Sequence, residues 1–133
     1  MVPQASSGAR LGVREIVVSE VKVATRFSRH LGGRYKADGP WSGEAFRDSV
    51  LLDGLEQALK TKKPLVINFD GVAGTPTSFL EEAFGGIFRV RPQWTLAQVK
   101  PLLKLEAPNS PFLQSFMALA YQFMDREAQR RLQ

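Results

Sequence analysis

Three groups of residues in this chain could do chemistry. The first is a hydroxyl pair, Thr77-Ser78, at the end of a short loop that opens with Asp70 and contains Gly71 and Gly74. An apolar strand, Leu65 to Phe69, runs into that loop, and the pattern beyond it predicts a helix from Ser78 to about Val90. Ser78 and Glu81 have capping-box spacing, which would place the Ser78 hydroxyl on backbone N–H and leave Thr77 just outside the helix and more exposed. A phosphate on either hydroxyl would lie near the positive end of the helix dipole, where negative charge is stabilised. The residues leave two readings open: an ordinary cap, and a switch or docking point. Gly74 would allow a partner to approach closely.

The second group is the carboxylates Glu81 and Glu82. Neighbours on a helix point about 100° apart, so they form no acid–base pair and read as cap and surface residues flanking the hydroxyls. Asp70 alone makes no cation site. The sequence has one histidine, His30, and no cysteine, so the usual donors for zinc are missing. No nucleophile elbow accompanies any serine. The loop Asp70-Gly71-Val72-Ala73-Gly74 matches neither the P-loop nor the dinucleotide fingerprint. No catalytic residue, metal ligand or cofactor is assigned, and the chain is expected not to be an enzyme.

The third group interleaves basic and aromatic residues. Arg29, His30, Arg34, Tyr35 and Lys36 share one segment, and Arg89, Arg91 and Trp94 another. Such groups hold nucleic acid by phosphate contact and stacking, and they serve equally as anchors on an acidic protein surface. Arg34 and Tyr35 are candidates for a protein partner. Arg34, Lys36, Arg89 and Arg91 are the candidates under a nucleic-acid alternative. The net charge of +5 is spread along the chain, which also suits a solvated basic surface.

The elements that must position these groups follow from the apolar pattern. With 133 residues, 44% hydrophobic and 23% charged, the chain fits one globular domain. No apolar run approaches the roughly 18 residues of a membrane span, no secretory signal opens the sequence, and the expected address is the cytoplasm. Residues 1–13 read as a flexible lead-in, 14–125 as the domain, and 126–133 as a polar helix end. Ile16, Val17, Val18, Val21 and Val23 favour a strand. Residues 26–39 are linker-like, with a second strand ending near Tyr35 as one option. A helix from Ser42 to about Thr61 is signalled by Ser42 as N-cap, by Trp41 and Phe46 at hydrophobic-staple spacing, and by Pro64 beyond its end.

Leu65 to Phe69 suits a central strand covered on both faces. The following helix is apolar around most of its circumference, except that Gly85-Gly86 weakens it by about 1 kcal/mol per glycine. Close approach of another backbone would explain the pair, and so would a flexible helix end. Arg91-Pro92 breaks the chain. A short turn at Thr95–Val99 and a weak strand near Leu102–Glu106 come next. A last helix starts at Ser110-Pro111, with Phe112, Phe116, Leu119, Ala120 and Phe123 on one face. The alternation of strands and helices is an α/β layer pattern.

Gly33-Arg34-Tyr35, Asp38-Gly39-Pro40, Ser42-Gly43-Glu44-Ala45-Phe46-Arg47 and Leu51-Leu52 together resemble the STAS-like domain family, a family of unknown function. The second half is similar as well: Val66-Ile67-Asn68-Phe69-Asp70-Gly71-Val72, a short loop, the Thr77-Ser78 pair, then Phe79-Leu80-Glu81-Glu82-Ala83-Phe84-Gly85-Gly86. The resemblance spans roughly Val17 to Gln122. It implies a single domain with a mixed β-sheet packed against a layer of helices, related to anti-sigma factor antagonists. In that wider family a GHKL-type ATPase or kinase phosphorylates a Ser or Thr at this helix start and so toggles partner binding. The matching positions here are Thr77 and Ser78. The loop departs from the Asp-Ser-Ser-Gly of true antagonists, with Pro76 where their acidic residue stands. The helix start as an interaction surface is what the resemblance carries over, and the implied role is a regulatory protein-interaction domain.

Overall fold

The computed structural model describes residues 19–132. The expected lead-in, 1–13, and the first part of the expected first strand, with Ile16, Val17 and Val18, lie outside the described residues. Strand β1, Ser19–Lys22, leads into a single helical turn α1, Val23–Arg26. Helix α2 occupies residues 43–61 and β2 is Leu65–Asn68. Helix α3 occupies residues 77–90, followed by the short α4, Leu96–Val99, and β3, Leu103–Glu106. A 3-10 turn, Pro111–Leu113, opens α5, Gln114–Arg131. The segment 26–39 contains no second strand. It holds a 3-10 turn at Lys36–Asp38.

The sheet has the order β1-β2-β3, and both described pairs are parallel. The mixed order implied by the family resemblance therefore has no antiparallel member among the described strands. The register aligns Ser19, Leu65 and Leu103 in one row and Val21, Ile67 and Leu105 two rows further on. All of these but Ser19 are buried. They pack with Leu51, Leu55, Phe69, Phe79, Phe84, Ile87, Val99 and Met117 into one core on the helix side. Each fully buried side chain of this size contributes about 1.5–3 kcal/mol.

Among the described residues nothing covers the other face of the sheet. Glu20, Lys22, Lys104 and Glu106 are exposed there, and Val66 and Asn68 are half-buried. Leu65–Phe69, expected to be covered on both faces, is covered on one among the described residues. An unbroken apolar run does not reveal its second face, whereas the alternating charges of the flanking strands do. On the outer edge of β3, the Tyr121 hydroxyl accepts from the Leu105 N–H at 2.9 Å and donates to the Leu103 carbonyl at 3.0 Å. One side chain thus occupies backbone groups that another strand would otherwise take.

Two further expectations shift. The Trp41–Phe46 staple is indirect: Phe27 lies between the two, its ring centroid 5.3 Å from Trp41 and 5.2 Å from Phe46. Ser110 makes no side-chain cap, and the 3-10 turn after it rotates Phe112 into solvent. The buried stripe of α5 is therefore Met117, Ala120, Phe123 and Met124, following Leu113. Helix α5 runs on to Arg131 and buries Glu127. Among the described residues no helix is long and apolar enough to cross a membrane.

Candidate protein-interaction site

Helix α3 begins one residue earlier than the sequence suggests. Thr77 is its first residue and Pro76 (φ −60°, ψ 144°) occupies the N-cap position. Proline offers no side-chain acceptor, so the helix start has no side-chain cap. The expected capping box between Ser78 and Glu81 is absent, because the Glu81 carboxylate is turned to arginines instead. Among the described residues the backbone N–H groups of Thr77, Ser78 and Phe79 have no hydrogen-bond partner. Thr77 is exposed and Ser78 half-buried. The turn is nonetheless held rigidly, since Phe79 and Leu80 are fully buried. Gly43 of α2 lies against the Phe79 carbonyl so closely that a Cβ there would overlap it.

The preceding loop is fixed at several points. Gly71 has φ +90°, which side-chain-bearing residues rarely adopt. The Arg29 carbonyl accepts from the Ala73 N–H at 2.9 Å, and Arg29 Nε donates to the Gly71 carbonyl at 3.2 Å. Asp70 accepts from both the N–H and the side-chain amide of Asn109, at 3.0 and 3.1 Å, which ties this loop to the turn before α5. Asp70 thus has a structural task. Val72 and Thr75 are buried, and the Thr75 hydroxyl has no hydrogen-bond partner among the described residues. Around Gly74 the space is open: nothing would lie within 4 Å of an added Cβ. Trp41 is 45% exposed and meets Phe27 edge to face, and Phe27 in turn neighbours Phe79, so an aromatic surface reaches toward the same helix turn. Tyr35 is exposed too, with the Arg34 guanidinium 6.0 Å from its ring centre.

Behind the helix start lies a cluster of charges that the sequence did not announce. Both α2 and α3 contain a π-helical turn, Arg47–Leu51 and Glu81–Gly85. These wider turns meet through one ion pair. Arg47 Nη1 donates to Glu82 Oε2 at 2.6 Å and to the Glu82 carbonyl at 3.1 Å, with both residues buried. Glu81 accepts from Arg34 and, at 2.9 Å, from Arg89. Arg89 also reaches Glu127 of α5 at 2.8 Å. Glu81 and Glu82 are therefore not free surface residues: Arg34 and Arg89 each contact both carboxylates. The glycine pair makes room for this cluster. A Cβ at Gly86 would lie 2.5 Å from Arg47 Nη1, and one at Gly85 2.9 Å from Glu81 Oε2. Side-chain ions approach there more closely than backbone does, with the Phe123 carbonyl at 3.5 Å from the Gly85 position.

The electrostatics follow from these contacts. Burial by itself would raise the Glu81 carboxyl, but hydrogen bonds from Arg89 and Arg34 outweigh it and hold the group below its ordinary range. The Glu81 hydrogen bond is also the main reason that Arg34 and Arg89 hold their protons more tightly than usual. Asp48 behaves like Glu81: burial pushes it up, yet Lys36 and Arg47 bring it down overall. All four cations named for nucleic acid are engaged. Arg34 and Arg89 face the two glutamates, Lys36 pairs with Asp48 at 3.0 Å, and Arg91 pairs with Glu56 at 3.4 Å. Among the described residues no group of three or more His, Asp or Glu is arranged to hold a metal ion.

Sequence reasoning overlooked Arg47, Glu127 and Phe27. Arg47 had a signal, since it sits between Phe46 and Val50 on the face that packs into the core. The glycine pair was the other signal, read there as room for backbone. Glu127 had none, because its pair with Arg130 is an ordinary i,i+3 contact and what distinguishes it is a partner from another helix.

A family model described as a STAS-like domain of unknown function matches residues 42–111, which hold α2, β2, α3, β3 and the whole helix start. No curated protein and no solved structure matches the chain.

Proposed function

Because the chain belongs to the STAS-like domain family of unknown function, we propose that it is a non-enzymatic regulatory domain that presents the start of α3 to a protein partner in the cytoplasm. The observation that carries this reading is the uncapped first turn. Thr77 is exposed, three backbone N–H groups are free among the described residues, and the turn rests on fully buried Phe79 and Leu80. Free N–H groups at the positive end of a helix favour an acidic or phosphorylated group. Exposed Trp41 and Tyr35 supply the large amphipathic side chains that dominate protein interfaces.

The partner we favour is a GHKL-type ATPase or kinase of the anti-sigma class. It would transfer the terminal phosphoryl group of ATP to the Thr77 or Ser78 oxygen, releasing ADP and the hydroxyl proton. The added charge would then change the affinity of the same surface. The test mixes the protein with such an ATPase and ATP, reads phosphate at residues 77 and 78 by mass, and compares capture of the ATPase by wild type, Thr77→Glu and Ser78→Glu. Phosphate on either residue, or altered capture by folded variants, supports the reading. Unmodified protein together with unchanged capture, with a kinase shown to be active, sinks it.

A further inference from the structure

Parallel sheets are almost always covered on both faces. Here the described residues cover one. The open face carries six side chains in two rows, set by the strand register: Glu20, Val66 and Lys104, then Lys22, Asn68 and Glu106. Its middle column is uncharged, and the outer columns carry two acids and two bases at diagonally opposite corners. These four corner charges have no ion-pair partner among the described residues. Only Glu20 is otherwise engaged, accepting from the Asn68 amide at 3.0 Å.

We propose that this face pairs with the same face of a second copy of the chain. A two-fold axis along the strand direction lays β1 of one copy over β3 of the other. Glu20 then meets Lys104 of the second copy, and Lys22 meets its Glu106. Val66 meets Val66 and Asn68 meets Asn68, so apolar surface opposes apolar surface and an amide opposes an amide. An uncharged centre with a charged rim is the usual anatomy of an interface. The pattern is self-complementary, which a two-fold contact requires. Six side chains make less than the roughly 800 Å² per partner of a standard interface. The dimer is therefore weak and concentration-dependent, and salt weakens it further.

Sedimentation equilibrium of the full-length protein at low salt, up to the highest soluble concentration, tests this. Wild type is expected to self-associate, less so at high salt. E20K and K104E each convert two symmetry-related attractions into repulsions, so each raises the dissociation constant at least about tenfold, with circular dichroism confirming the fold. An equimolar mixture of the two variants restores every attraction and forms a heterodimer about as tight as the wild-type dimer. Monomer at all concentrations for wild type, as when the face is covered by another part of the chain or by a different protein, overturns the proposal. So does a mixture no tighter than the separate variants.

Discussion

Helices α2 and α3 are built to one plan and finished differently. Each opens with four α-helical residues, Gly43–Phe46 and Thr77–Leu80, and each continues through a five-residue π turn before returning to α geometry. The first turns pack together at Gly43 and Phe79, and the π turns are joined by Arg47 and Glu82. At the start of α2 every early donor is satisfied. The Gly43 N–H bonds the Gly33 carbonyl at 2.9 Å, the Glu44 N–H the Arg34 carbonyl at 3.0 Å, and the Ala45 N–H the Ser42 hydroxyl at 3.0 Å. At the start of α3, Pro76 replaces the capping serine and the equivalent donors have no described partner. Two supports of the same kind thus hold one closed end and one available end. The difference is what supports the proposed binding role, because rigidity at an uncapped end is not needed to close the fold.

The largest expected effect lies where the two helices share a pair. Arg47→Met leaves Glu82 buried without its main partner and should cost about 3–5 kcal/mol in denaturant unfolding. Adding Glu82→Leu should recover most of that loss. A cost below about 1 kcal/mol for the single change would mean that the pair does not tie the π turns together.

The caps give the next contrast. Ser42→Ala should destabilise by about 1 kcal/mol, whereas Ser78→Ala, which removes no cap, should stay within about 0.5 kcal/mol. Equal losses measured by thermal unfolding would erase the distinction between the two ends.

Acidification probes the cluster behind α3. The folded Glu81 carboxyl lies below its unfolded value, so its contribution is fully present above the unfolded value of about 4.3 and disappears as pH falls through the folded one. Glu81→Gln should therefore flatten the loss of stability on the acid side while leaving its slope at neutral pH unchanged. An unaltered acid limb would show that Glu81 gains nothing from Arg34 and Arg89.

The smallest effect on stability is expected at the available end itself. Thr77→Glu places a negative charge in the first turn of α3 and should stabilise the protein by about 0.3–1 kcal/mol, while altering capture of a partner. Loss of stability with this variant would show that the turn is less open than its missing cap implies.

Much of the framework was legible in the residues. Pro64, Arg91-Pro92 and Ser110-Pro111 mark ends and starts that the structure keeps near those positions. Ser42 is an acceptor placed before a helical pattern, and Thr95 with Gln98 forms a full capping box. Such signals act within three or four residues and are therefore local. The α3 start was misplaced by one residue because Ser78 and Glu81 satisfy a local rule that longer-range charges override. Helical periodicity points Phe112 inward because it does not register a 3-10 first turn.

The sequence by itself determined the alternation of strands and helices, the position of the hydroxyl pair and the absence of cysteine chemistry, since these depend on residue type and short spacing. Tertiary structure alone decided what the charges do. Arg47 is 35 positions from Glu82, and Arg89 is 38 from Glu127. No periodicity links residues that far apart, and only the crossing of α2, α3 and α5 brings them within hydrogen-bond reach. The same crossing explains Gly85-Gly86, whose missing side chains leave the space that the buried ions occupy.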